Sequence, residues 1–226
     1  MNAKGALISV MCIALVAMTA GAGTLAYFSD TETSTGNTFT AGTLDLKISD
    51  GEDWGDGVTA TWTLSDMKPG DSVSGWVVLD TVGSIAADHA EITCDYSVTE
   101  ESPQTESDTD PNTDQHPGWM AKNLTIDQAW YQADGYNINL LTGKNVLTGE
   151  QHDYWKIEDV DGDGKRTLYD LKYGNGGNGV DNLPPPDTFQ YSFSMNIKFN
   201  ETAGNDFQGD TFNLTVIFTL NQDGSQ

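Results

Sequence analysis

Asp159-Val-Asp161-Gly-Asp163-Gly164-Lys165-Arg-Thr167-Leu-Tyr-Asp170 carries the most specific chemistry in the sequence. Carboxylates stand at positions 1, 3 and 5 of a twelve-residue loop, and Gly164 falls at position 6, where a calcium loop turns sharply. Lys165 offers its carbonyl at position 7, Thr167 sits at position 9, and Asp170 closes position 12. Calcium takes six to eight hard oxygens around one point, and this spacing wraps them. The reading is one structural calcium ion held by Asp159, Asp161, Asp163, Lys165, Thr167 and Asp170. The alternative is an acidic turn in an acidic protein.

Catalytic signals are poor by comparison. His89, His116 and His152 are scattered, and none belongs to an HExxH helix. His89-Ala-Glu91 lacks the paired cysteines of a zinc deaminase. There is no Gly-x-Ser-x-Gly elbow, phosphate loop or basic patch, so no enzyme activity and no nucleic-acid partner is expected. Cys94 falls on the apolar side of Ala90-Glu-Ile92-Thr-Cys94-Asp-Tyr96-Ser-Val98, which predicts a buried core thiol rather than a nucleophile. Asn123, Asn200 and Asn213 each open an Asn-x-Thr sequon and are candidates for N-glycosylation. An Asp at the twelfth position makes the calcium loop resemble the dockerin-type variant more than a sensor loop ending in Glu.

The elements that position these residues follow a period of two. Leu44, Leu46 and Ile48 alternate with polar residues, as do Val58, Ala60, Trp62 and Leu64. Lys68-Pro69-Gly70-Asp71 then makes a turn, and Ser74–Leu79 and Ala90–Val98 continue the pattern. Near the end, Phe189, Tyr191, Phe193, Met195, Ile197 and Phe199 share one face, and Phe212, Leu214, Val216, Phe218 and Leu220 share another. Seven or so strands, each with one apolar face, need two sheets packed together. The fold class expected is all-β: a jelly-roll-like β-sandwich over 42–222. A mixed loop and helix insertion at about 100–188 carries the calcium loop and covers the sandwich. Residues 223–226 form a tail.

Residues 1–26 read as a signal peptide. They hold one charge, Lys4, ahead of an apolar run of about fifteen residues, long enough for a leader core and short for a membrane span. Thr24 and Ala26 place small side chains at −3 and −1 for signal peptidase, which puts the cut between Ala26 and Tyr27. The alternative is a retained N-terminal anchor. After cleavage no stable membrane span is expected, and the protein is secreted to the cell surface or its surroundings. The formal charge of −24 suits a soluble, self-repelling surface, divalent cations or a saline medium.

Tyr27-Phe28-Ser29-Asp30-Thr31-Glu32 and Phe39-Thr-Ala-Gly-Thr43-Leu-Asp-Leu46, together with Leu64-Ser-Asp-Met-Lys68-Pro69-Gly70-Asp71, Gly83-Ser-Ile-Ala86 and the closing strand pair, resemble the TasA/camelysin family of exported biofilm-matrix proteins. The resemblance covers both ends of the sandwich, and the calcium-loop insertion is not part of it. It implies a jelly roll that polymerises into extracellular fibres, as archaeal bundling pili also do. Residues 27–41 are then a donor strand that completes the sheet of the next subunit, with Tyr27, Phe28 and Phe39 at the contact. The implied partners are other copies in a head-to-tail homopolymer, and neighbouring filaments in bundles. The segment itself agrees, since it is polar and glycine-bearing and has little reason to fold alone. The bland reading is a disordered terminus. Two other functions stand beside this one: a monomeric surface module that binds sugar or protein, and a metallopeptidase like those for which some family members are named.

Overall fold

The computed structural model describes residues 29–33, 44–51, 54–55, 68–100, 112–187, 189–204, 206–207 and 209–222. The leader, the Ala26/Tyr27 junction, Phe28, Phe39, the expected strand through Val58–Leu64 and the tail lie outside them.

The alternating runs become strands of two antiparallel sheets. Strands β1 (Ser29–Thr33), β4 (His89–Thr99), β8 (Val180–Leu183) and β10 (Thr211–Asn221) form one, in the order β1-β10-β4-β8. Strands β2 (Leu46–Ser49), β3 (Ser72–Thr81), β5 (Leu124–Ala133), β6 (Tyr136–Asn139), β7 (Lys144–Asn145) and β9 (Tyr191–Phe199) form the other, in the order β2-β3-β9-β5-β6-β7. The chain is a β-sandwich. Ile92, Cys94, Tyr96 and Val98 of β4 and Phe212, Val216, Phe218 and Leu220 of β10 are buried, as is every second residue of β9 from Tyr191 to Phe199. Phe193 meets Phe218 across the sheets edge to face, ring centres 5.3 Å apart. Burying a side chain of this size contributes roughly 1.5–3 kcal/mol, so these strands hold the molecule together. The Lys68–Asp71 turn forms as expected, with Asp71 N donating to Lys68 O and Gly70 at φ +96°.

Three expectations change. Strand β9 starts at Tyr191 and leaves Phe189 exposed, because neither neighbouring strand offers β9 a register partner before Tyr191. The segment at about 100–188 does not merely cover the sandwich. Its β5 lies inside the six-stranded sheet between β9 and β6, and its β8 forms an edge of the other sheet. The reason is that β9 has two edges to satisfy, and β3 fills only one of them. Finally, Ser29–Thr33 fills its own sheet, pairing with β10 from Ser29↔Asn221 to Thr33↔Ile217. Polar side chains do not prevent this, since a strand ladder is made by main-chain groups.

Two short helices join the sheets to the calcium-type loop. Helix α1 (Pro117–Asn123) starts on a proline and buries Met120 and Ala121. Helix α2 (Leu168–Tyr173) buries Leu168 and Leu171 beside β4, where Cys94 Sγ donates to Leu168 O and Thr93 Oγ1 to Leu171 O. Cys94 is therefore the core thiol expected, and burial pushes it well above the ordinary thiol range.

Candidate metal centres

The acidic loop is wrapped by its own backbone. Asp159 Oδ1 accepts from Asp163 N at 3.1 Å and its Oδ2 from Gly164 N at 2.9 Å, so the first carboxylate gathers the middle of the loop. Gly162 and Gly164 hold φ of +75° and +83° with open space around them, so they serve the turn and not a close approach. Asp170 is fully buried and ties the ends together. Its Oδ1 accepts from Val160 N at 2.9 Å, and its Oδ2 from Thr167 N at 2.8 Å. Thr167 caps α2, its Oγ1 accepting from Asp170 N, so this pair forms a capping box. The loop is also pinned to β5, where Ile126 N donates to Arg166 O at 2.7 Å.

Ligand oxygens of Asp159, Asp161 and Asp170 lie within 4.8 Å of one another. Asp163 stands outside this trio, bonded through Oδ1 to Lys165 N, and Lys165 O accepts from Arg166 Nη1. Cations balance the loop: Lys122 Nζ lies 2.9 Å from Asp161 and Arg166 3.5 Å from Asp159. The Lys122 hydrogen bond holds the Asp161 carboxyl below the usual range. Three converging carboxylates of this kind offer the hard oxygens a divalent cation requires.

A second group forms on the outward side of β4. His89 and Glu91 are two residues apart on one strand and share a face, and Asp181 reaches them from β8. His89 Nε2 lies 3.5 Å from both Glu91 Oε1 and Asp181 Oδ1, and the ligand atoms of all three fall within 4.8 Å. Register places Asn221 of β10 opposite His89, with Asn221 Nδ2 3.3 Å from Nε2. Asp88 Oδ2 sits 3.4 Å from Nδ1, so carboxylates face both ring nitrogens of His89. The β4–β8 pairing is irregular between Ala90 and Ile92, and Asn182 takes φ +55°. Trp155 Nε1 fastens that corner by donating to Asn182 O at 2.7 Å. Burial and the nearby Asp181 push the Glu91 carboxyl above its ordinary range. Such a site is short of positive charge.

The family model described as Camelysin metallo-endopeptidase matches residues 3–226. The chain belongs to that family. No curated protein matches it. The metal that the camelysin family's description implies fits the second group better than the loop. One imidazole nitrogen and two carboxylates within 4.8 Å of one another make a mixed three-residue donor set for a metal ion, where the loop offers carboxylates alone. The other histidines are engaged elsewhere: His116 stacks on Trp119, and His152 contacts Glu150 and Tyr154. His89-x-Glu91 is legible as a same-face pair on a strand, but nothing local points to Asp181.

The sequon asparagines also separate. Asn123 and Asn200 lie together, with Asn200 Nδ2 donating to Asn123 Oδ1 at 3.3 Å, while Asn213 is exposed on β10. Among the described residues, no helix is long and apolar enough to cross a membrane.

Proposed function

We propose that the mature protein is a secreted structural subunit that polymerises into extracellular filaments by exchanging its N-terminal strand between copies. The observation that carries this reading is the place of β1. It is the first described segment, and among the described residues it lies at a sheet edge and pairs with β10 alone. The chain between Thr33 and Leu46, if extended, reaches roughly 40 Å, enough to carry β1 to a neighbour's β10. The same ladder then forms between copies at little cost, which is the logic of domain swapping and strand addition. Signal peptidase cutting at Ala26/Tyr27 frees the segment, and Tyr27, Phe28 and Phe39 seat in the neighbour. Calcium in the Asp159–Asp170 loop orders the 155–173 region.

The test is electron microscopy of purified mature protein beside a form lacking residues 27–40. The intact protein forms filaments, and the truncated one stays a monomer that binds a 27–40 peptide and melts at higher temperature with it. Normal filaments from the truncated protein would overturn the reading.

A second reading, a metal-dependent peptidase, is favoured by the His89, Glu91 and Asp181 group together with the family description. It requires zinc-dependent cleavage of a protein substrate that His89→Ala abolishes. Equal cleavage by that variant removes it.

A further inference from the structure

We propose that the outer face of the six-stranded sheet binds a neutral polysaccharide, seated on the indoles of Trp76 and Trp130. Both residues pair with Ser194 of β9, Trp76 from β3 on one side and Trp130 from β5 on the other. They stand two strand spacings apart, roughly 10 Å. Between them runs a groove of about 220 Å³. It lies on an open sheet face, so a chain molecule can continue past both rings.

The placement of each ring is built into the fold. In β5, Leu124 and Ile126 point into the core, but so do Ala129 and Tyr131, and Asp127 and Gln128 are exposed in succession. The register shift between Ile126 and Gln128 is a bulge that inverts the alternation and turns Trp130 outward. Trp76 is 51% exposed yet its edge is seated on the backbone at Gly51. A Cβ at Gly51 would lie 3.0 Å from Trp76 Cη2, and Gly51 N is itself tied to Ser49 Oγ at 3.1 Å.

The chemistry of the lining selects the ligand. Gln128, Asn196, Ser74 and Ser194 supply neutral donors and acceptors, and none of the described lining side chains is charged. Among the described residues this lining is uncharged, in a protein of formal charge −24 whose surface repels polyanions. Asn196 Nδ2 donates to Ser74 Oγ at 2.8 Å, which orients that amide and leaves Oδ1 as its remaining acceptor. Sugar rings present an apolar C–H face that stacks on an indole and a rim of hydroxyls that bonds to amides and hydroxyl groups. Two indoles separated by neutral amides match successive rings of an extended, uncharged glycan.

The experiment is native affinity electrophoresis of the purified mature protein in gels containing hydroxyethyl cellulose, galactomannan or alginate. At least one of the two neutral polymers retards the protein, and anionic alginate does not. Trp76→Ala and Trp130→Ala each weaken the retardation about tenfold, the size expected for truncating a stacked tryptophan. Ser194→Gln, which fills the space between the rings and leaves both tryptophans in the chain, weakens it as well. Trp119→Ala, at another exposed tryptophan on α1, leaves it unchanged. Absence of retardation by both neutral polymers, or equal loss with Trp119→Ala, would overturn the proposal. So would a change of sedimentation coefficient in the Trp76 and Trp130 variants with no glycan binding, which assigns the face to contacts between copies.

Discussion

Trp76 and Trp130 oppose the same residue, Ser194, from the two sides of β9. The relationship depends on the bulge at Asp127, because strand alternation carried on from Ile126 would turn Trp130 into the core. Deleting Asp127 removes the extra residue of the bulge, and regular alternation from Ile126 then keeps Ala129 and Tyr131 inward and Trp130 outward. The expected outcome is a folded protein that loses less than about 3 kcal/mol through the altered local twist, while Asp127→Ala stays within about 0.5 kcal/mol of the parent. Urea unfolding of both variants checks the contrast.

Calcium should raise the thermal midpoint of the parent protein relative to a chelator. A ligand that binds only the native state stabilises it by about 2.7 kcal/mol at a hundredfold excess over Kd. Asp159→Asn removes a carboxylate that already gathers Asp163 N and Gly164 N, so its midpoint responds far less. Calorimetry with and without calcium measures both. Identical curves for the parent count against a structural ion.

Asp95 and Lys172 provide a pH dependence whose sign is fixed. Lys172 Nζ lies 2.6 Å from Asp95 Oδ1, and that hydrogen bond holds the Asp95 carboxyl below its usual range. Asp95 thus contributes stability that is present above its unfolded value of about 3.9 and is lost as pH falls through the lower folded value. The pair is largely exposed, so the contribution is under about 1 kcal/mol. Lys172→Met returns the Asp95 carboxyl to the ordinary range in an NMR titration.

Tyr131 is fully buried, and its hydroxyl donates to Pro184 O at 2.9 Å, joining β5 to the chain after β8. Tyr131→Phe keeps the ring and strands that carbonyl. The expected cost is about 1–3 kcal/mol, read as a lower urea midpoint with an unchanged slope.

Strands with one apolar face are legible along the chain before any pairing is known. Leu46, Ile92, Phe193 and Phe218 sit at every second position, and a period of two is a local property that any pairing must respect. Legible in the same way is the loop from Asp159 to Asp170, whose turns depend on glycines within the loop itself. Tertiary structure decided the rest, because pairing between distant strands is not encoded in local spacing. Trp130 faces outward only through a bulge that shows when β5 is laid against β9. Asp181 joins His89 and Glu91 only because β8 edges β4, more than eighty residues away in sequence. Ser29–Thr33 carries too few apolar side chains to announce a strand. Its place was set by the unfilled main-chain edge of β10, which polar residues satisfy as well as apolar ones.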